Sequence, residues 1–107
     1  MKVECSRGIM FPAGANRAWR RYTNRAPDMA AAVTLCPKRR LVVQAGGNIG
    51  AWPTWLSKKF DQVHTFEPEP TNYKCLVHNT EKLPNVLAYN EALSDTYGAE
   101  GMRVYIS

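Results

Sequence analysis

The chain has 107 residues, 45% of them hydrophobic, and a formal net charge of +5. This length allows one globular domain, and no apolar run is long enough to cross a membrane. The three cysteines lie far apart in the sequence, so their spacing predicts neither a disulfide framework nor a zinc site. We therefore expect a soluble protein without a metal centre, in the reducing environment of the cytoplasm.

The basic charge is concentrated in the first part of the chain. Residues 1–40 carry nine basic and two acidic side chains, a balance of +7, whereas the remainder has a balance of −2. A solvated basic extension is the favoured interpretation. The alternative hypothesis is an arm that binds nucleic acid through Arg17, Arg20, Arg21 and Arg25.

Three elements are predicted within this extension. Residues 10–15 indicate a loop, and residues 16–25 a short basic helix. A firmer helix is predicted over 27–36, because Pro27 suits a first helical position and Pro37 disfavours helix at the preceding residue. We expect this last helix to pack against a sheet and to lead the chain into its first strand.

Leu41–Ala45 begins with an apolar, β-branched run, which predicts a strand buried on both faces of a parallel sheet. Three glycines follow it, and glycine permits a tight turn in which the backbone approaches a ligand closely. A helix is predicted from Ala51, with Pro53 in its first turn. Its spacing predicts a buried face made of core side chains rather than acceptor-stacking aromatics, namely Trp52, Trp55, Leu56 and Phe60.

Residues 63–66 then predict a second strand, with Glu67 at its carboxyl end. A right-handed crossover places the glycine turn and Glu67 at the same edge of a parallel sheet. Such a turn is expected to offer unpaired N–H groups to an anion, and the acid to accept ribose hydroxyls. This combination predicts a site for a nucleoside with a negatively charged tail, although a purely structural turn is the alternative.

The glycine spacing distinguishes two cofactor classes. The dinucleotide fingerprint is G-x-G-x-x-G, whereas this sequence has Gly46-Gly47-Asn48-Ile49-Gly50. It fits better the G-x-G-x-G turn of S-adenosylmethionine enzymes, with Asn48 at the central place. Asparagine tolerates the left-handed region best after glycine, so this exchange is physically mild.

Further elements follow in the same α/β order. The Glu-Pro-Glu-Pro segment predicts a helix that starts near Thr71 and ends before Pro84, with Tyr73, Leu76 and Val77 on its buried face. Val86–Tyr89 is predicted as a third strand, continued over residues 90–93. A turn is expected over 95–98, and the start of a further strand over 102–106.

Several ordered motifs carry a specific resemblance. These are the runs from Val43 to Gly50 and from Phe66 to Asn72, then Leu76, Asn79, Asn85-Val86 and Ala92-Leu93-Ser94-Asp95. Over residues 41–98 the sequence resembles the amino-terminal half of an FkbM-type S-adenosylmethionine-dependent methyltransferase. The resemblance implies an incomplete Rossmann-like parallel sheet with flanking helices, comprising three strands plus the start of a further strand. It divides the chain into a basic extension (1–40) and a partial cofactor-binding domain (41–107).

The same resemblance implies S-adenosylmethionine as cofactor. The glycine turn would surround its methionine part, Glu67 would hold the ribose, and residues 91–94 would lie near the adenine. Gln44 departs from the family pattern, which usually has an acid there to orient the turn and the cofactor's ammonium group; glutamine keeps an acceptor but brings no charge. The implied cofactor-binding residues are Gln44, Gly46, Gly47, Asn48, Gly50, Glu67, Ala92 and Leu93.

The implied reaction is methyl transfer, and the preferred acceptor is a hydroxyl of a small molecule or glycan. No catalytic residue is assigned, since Asp95 and Glu69 suit a turn and a loop better than a general base.

The family's second half supplies most of the acceptor pocket, and without it the first strand becomes an open edge. Truncation of a longer gene is our favoured explanation, ahead of coverage by the extension or by a partner chain. A non-catalytic nucleotide-binding remnant is the alternative function.

Overall fold

The computed structural model describes residues 2–15, 26–93 and 104–105, with residues 26–29 and 104–105 described by their backbone alone. Strands and helices alternate through the central part of the chain, which confirms the predicted α/β class. In chain order the elements are β1 (Val3–Ser6), β2 (Ile9–Pro12), α1 (Ala26–Thr34), β3 (Leu41–Ala45), α2 (Ala51–Leu56), β4 (Gln62–Phe66), α3 (Pro70–Thr80), β5 (Val86–Tyr89), β6 (Ala92–Leu93) and β7 (Val104–Tyr105).

The centre of the fold is a three-stranded parallel sheet in the order β3-β4-β5. Val63 in the middle strand lies opposite Val42 and Val86 and is fully buried. Within the described residues β3 pairs along one side only, so it is the predicted edge strand. The prediction that β3 is buried on both faces is wrong, because a strand at the edge is less covered and Leu41 is 53% exposed.

One hydrophobic cluster joins helices α1 and α2 to the sheet. It consists of Val33, Leu56, Phe60 and Val63. Val33 belongs to α1, so this helix packs against the sheet as expected. The buried face predicted for α2 is only partly right, because the helix ends at Leu56 and Phe60 reaches the core from the following turn. Trp55 is half-buried and packs at the rim of this cluster.

Helix α3 begins at Pro70, one residue after the capping residue Glu69. The Glu69 carboxylate accepts a hydrogen bond of 2.7 Å from the Asn72 N–H, which satisfies a donor in the first turn. The buried positions on this helix are Thr71, Cys75, Leu76 and Thr80. The prediction for Val77 is wrong: it lies about 100° around the helix from Leu76 and is 38% exposed.

The first described segment forms a β-hairpin that the sequence did not predict. Strands β1 and β2 pair antiparallel across a two-residue turn, in which Arg7 and Gly8 have φ of 54° and 81°. The predicted loop over 10–15 is therefore wrong for its first three residues. Strand β2 packs on α3, and a second cluster forms there from Phe11, Ile49 and Cys75.

The predicted continuation of β5 over residues 90–93 is also wrong. Strand β5 ends at Tyr89, and the short strand β6 pairs instead in parallel with β7. The Asn90 side chain donates hydrogen bonds to the carbonyls of Glu67 (2.9 Å) and Pro68 (3.1 Å), which turns the chain away from the β5 direction. The elements predicted over 16–25 and 95–98 lie outside the described residues, and of the strand predicted over 102–106 only β7 is described.

No helix in the described ranges is long and apolar enough to span a bilayer. No group of three or more histidine, cysteine, aspartate or glutamate side chains in these ranges is placed to hold a metal ion.

The hairpin is predicted to be part of the stable core. Phe11 is 6% exposed, and Phe11→Ala is expected to lower the free energy of unfolding by about 3 kcal/mol, because it leaves a cavity against Ile49 and Cys75. Urea denaturation measures this change. The control is Leu35→Ala, at a side chain that is 82% exposed, with an expected change within about 0.5 kcal/mol. Equal effects of the two substitutions would show that the hairpin is not packed as described.

Candidate functional site

The glycine turn connects the end of β3 to the start of α2. Gly46, Asn48 and Gly50 have φ of 75°, 50° and 102°, so all three lie in the left-handed region. Asn48 occupies the central position as the sequence predicted, and it is one of two described non-glycine residues with positive φ. Gly50 caps the amino terminus of α2 in this conformation. The turn therefore depends on residues that tolerate positive φ.

Four N–H groups of this turn, those of Gly46, Gly47, Asn48 and Gly50, have acceptors within the protein. Gly46 and Gly47 both donate to the Phe66 carbonyl, at 2.8 and 3.0 Å, and Gly50 donates to the Gly47 carbonyl at 2.9 Å. Asn48 donates to the Glu67 carboxylate at 2.8 Å. The expectation that these residues offer unpaired N–H groups to an anion is wrong, because the neighbouring strand end already accepts from three of the four.

Glu67 lies immediately beyond β4, at the same edge of the sheet as the glycine turn. Its side chain is 6% exposed. Oε1 accepts from the Asn48 N–H at 2.8 Å, and Oε2 accepts from the Glu69 N–H at 3.0 Å. A carboxylate offers about four lone-pair sites, so each oxygen retains acceptor capacity after these bonds. Glu67 thus fixes the glycine turn to the end of β4.

Gln44 supports the turn from the end of β3. Its Nε2 donates to the carbonyls of Ala45 and Gly46, both at 3.1 Å. Its Oε1 accepts from the Thr65 hydroxyl at 2.6 Å. Glutamine therefore orients the turn by donating to carbonyl oxygens, which a carboxylate at this position cannot do.

Gly47 and Gly50 are both buried; Gly47 lies against β4 and α3, and Gly50 lies against α3. A Cβ on Gly47 would collide with the Thr65 hydroxyl and would lie 2.9 Å from Leu76 Cδ2. A Cβ on Gly50 would lie 3.1 Å from Thr80 Cγ2. These two glycines permit close packing of the turn on α3, whereas Gly46 is exposed and Asn48 is half-buried at the strand tips.

Three side chains that shape the site were not singled out for these roles by the sequence. Thr65 holds the Gln44 amide, Asn90 ties the strand tips together, and Asn79 donates to the Ile49 carbonyl at 2.7 Å. All three act through hydrogen bonds between segments distant in the sequence, which local patterns do not reveal. Ala92 and Leu93 lie half-buried in β6, after the turn at Asn90.

An apolar cavity of about 460 Å³ lies beside the site, between α1 and the open side of β3. Its lining includes Trp52 and Leu56 and reaches Gln44 and Gly46, and none of its lining residues is charged. The half-buried Trp52 therefore faces this cavity and is not part of the interior cluster. The polar chemistry of the region is confined to the strand tips, where Glu67 lies.

Comparison with known proteins gives structural similarity alone. No protein-family model matches the sequence, and no curated protein matches it. The structure is similar to that of the 23S rRNA methyltransferase ErmE, with a TM-score of 0.52 and 24% sequence identity over 60% of this chain. It is also similar to Trm5b from Pyrococcus abyssi, with a TM-score of 0.53 and 16% identity over 88% of this chain.

These likenesses establish the fold. At such identities they show a shared Rossmann-like α/β architecture and leave the activity to be argued from the site. The chain spans 27% of the ErmE chain and 32% of the Trm5b chain. It therefore matches a part of each of these larger proteins.

The close packing of Gly47 gives a first prediction for this region. Gly47→Ala is expected to lower the free energy of unfolding by about 3 kcal/mol, because the added methyl group overpacks the space beside Thr65 and Leu76. Chemical denaturation measures the loss. Gly14→Ala is the control, since Gly14 has φ of 84° with no atom within 4 Å of the added Cβ, and is expected to cost about 1 kcal/mol from backbone strain alone. A Gly47→Ala protein as stable as the wild type would contradict the described packing.

The cap of α3 predicts a pH dependence. Hydrogen bonds from the backbone N–H groups of Asn72 and Thr71 lower the pKa of Glu69 below its usual value. Because the folded pKa is depressed, the stabilisation is present above the unfolded pKa and is lost as the pH falls through the folded value. The melting temperature of Glu69→Ala is thus expected to fall below that of the wild type at pH 7, and the gap to close as the pH falls below the ordinary pKa of glutamate.

Glu81→Ala is the matched control for this experiment, since Glu81 lies at the opposite end of the same helix. Removing an acid from the negative end of the helix dipole is expected to leave the melting temperature unchanged or higher. A constant gap between Glu69→Ala and the wild type at all pH values would rule out the charged cap.

Proposed function

We propose that this chain is the cofactor-binding part of an S-adenosylmethionine-dependent methyltransferase of FkbM type. The observation that supports it most directly is the direction of the hydrogen bonds in the glycine turn. The donors of Gly46, Gly47 and Asn48 are occupied by the next strand end, while Glu67 keeps acceptor capacity at the strand tips. A site that offers acceptors suits ribose hydroxyls and an ammonium group, whereas three donors that a pyrophosphate could use, those of Gly46, Gly47 and Asn48, are already occupied.

Each site residue has a distinct role in this proposal. Glu67 accepts the two ribose hydroxyls, and the exposed Gly46 backbone approaches the methionine part together with Asn48. Gln44 orients the turn, and Gly47 and Gly50 allow its close packing. Ala92 and Leu93 border the adenine. These assignments follow the sequence resemblance.

S-Adenosylmethionine supplies an already activated methyl group, so the protein's contribution is to position donor and acceptor in line. When bound, it would donate this methyl group to an acceptor hydroxyl and leave as S-adenosylhomocysteine, while the hydroxyl proton would pass to a base. The acceptor is proposed to be a small molecule or a glycan. We assign no base to the described residues.

An RNA acceptor is the second candidate. Two observations favour it: the balance of +7 over residues 1–40, and the similarity in fold to an enzyme that is named for its action on 23S rRNA. Binding through this basic segment would be strongly salt-dependent, because phosphate contacts release counterions. A non-catalytic nucleotide-binding module is the third candidate, and a partner chain over the open side of β3 is compatible with each.

Calorimetric titration of S-adenosylmethionine into the folded chain tests the main proposal. Saturable binding is expected for the wild type. Glu67→Gln is expected to weaken it about tenfold or more, because the amide replaces one charged acceptor with a donor. Circular dichroism confirms that the variant is folded.

The matched control is Glu81→Gln, a substitution of the same kind at an exposed position directly after α3. Its affinity is expected to equal that of the wild type. A folded wild-type chain that gives no binding heat at several temperatures would exclude the cofactor role for this chain. Equal effects of the two substitutions would exclude Glu67 as the ribose ligand.

A further inference from the structure

The side chain of Asn79 joins three separate segments of the protein. Its Oδ1 accepts from the Met10 N–H at 2.7 Å, and its Nδ2 donates to the Met10 carbonyl at 2.8 Å. The same Nδ2 donates to the Ile49 carbonyl at 2.7 Å. The carboxamide therefore pairs with Met10 as a neighbouring strand would, while it also holds the glycine turn.

Apolar packing reinforces this link. Phe11 in the hairpin packs in one cluster with Ile49 and Cys75, which are 1% and 0% exposed. Ile49 is thus held twice, through its carbonyl by Asn79 and through its side chain by the hairpin and α3. The hairpin therefore supports the glycine turn through these contacts, although the two segments are separated by more than 30 residues in the sequence.

Ile49 lies between two residues of the glycine turn that have positive φ. Its neighbours Asn48 and Gly50 have φ of 50° and 102°, conformations that need support from the surrounding structure. The Asn48 N–H is the donor held by Glu67 Oε1. A continuous series of contacts therefore runs from Met10 through Asn79 and Ile49 to Asn48 and the carboxylate.

We propose that Asn79 is a positioning residue, through which the amino-terminal hairpin sets the conformation of the glycine turn and the affinity of the site. This inference rests on the proposed function for the identity of its ligand, S-adenosylhomocysteine, which is the product formed from the proposed cofactor. The coupling between the hairpin and the glycine turn does not require a ligand. Because coupling between two sites is reciprocal, ligand binding also stabilises the hairpin. Asn79 does not touch the ligand in this proposal.

The chain contains a matched control for Asn79. Asn85 is also an asparagine whose Nδ2 bridges two backbone carbonyls, those of Ser57 (2.8 Å) and Phe60 (3.1 Å). It lies directly before β5, at the sheet edge opposite the glycine turn. Loss of either side chain removes the same kind of clamp, and only the Asn79 clamp contacts the turn.

The first arm of the test uses amide hydrogen exchange by NMR without ligand. In Asn79→Ala the amides of Asn48 and Gly50 are expected to exchange at least tenfold faster than in the wild type, while the core amide of Val63 is unchanged. In Asn85→Ala the turn amides are expected to exchange at the wild-type rate. Unchanged exchange of the turn amides in Asn79→Ala overturns the proposal.

The second arm measures S-adenosylhomocysteine binding by calorimetry. Asn79→Ala is expected to raise the dissociation constant about tenfold, and Asn85→Ala to leave it within twofold even where the melting temperatures are lowered equally. Wild-type binding with no effect of Asn79→Ala overturns the inference and leaves the proposed function intact. No wild-type binding, together with faster turn exchange in Asn79→Ala, refutes the proposed function and supports the coupling.

If Asn79→Ala does not fold, Asn79→Asp replaces it. Aspartate has nearly the same shape and keeps the acceptor for the Met10 N–H, but it loses the donor to the Met10 and Ile49 carbonyls. Faster exchange at Asn48 and Gly50 is again expected. Wild-type exchange at both amides in Asn79→Asp overturns the proposal.

Discussion

The hydrogen bond from the Asn48 N–H to the Glu67 carboxylate holds together the two strand ends on which the candidate site depends. It joins a left-handed residue of the glycine turn to the acid beyond the adjacent strand, and the Phe66 carbonyl reinforces it by accepting from Gly46 and Gly47. Three donors of the turn thereby have acceptors at the end of β4. This constraint limits the backbone donors that the turn can offer to a ligand.

A sheet edge of this kind differs from an anion-binding turn of the same sequence type. In a phosphate site the glycine backbone keeps its N–H groups for the ligand. Here Glu67 and Phe66 accept from Gly46, Gly47 and Asn48, so these three donors are not available to a ligand. A glycine-rich sequence after a strand is thus compatible with opposite electrostatic outcomes, which depend on whether the N–H groups of the turn already have acceptors within the protein.

The sequence was sufficient to predict β3, α2, β4 and the position of Glu67, because glycine and proline mark the turns and β-branched residues mark the strands. It did not predict the hairpin, whose Arg7-Gly8 turn lacks the usual Asn-Gly or Asp-Gly signal and whose strands bury little more than Phe11. It also missed the inward direction of the turn donors and the role of Asn79. These depend on partners up to 69 residues away, and no local pattern encodes them.

Competition between two ligands tests the central claim most directly. S-Adenosylhomocysteine and the dinucleotide NAD⁺ both carry an adenosine, but only the dinucleotide needs free backbone donors for a pyrophosphate. Calorimetric titration of each into the wild-type chain is expected to show saturable binding of S-adenosylhomocysteine and binding of NAD⁺ at least tenfold weaker. Tighter binding of NAD⁺, displaced by S-adenosylhomocysteine from the same site, would contradict the account.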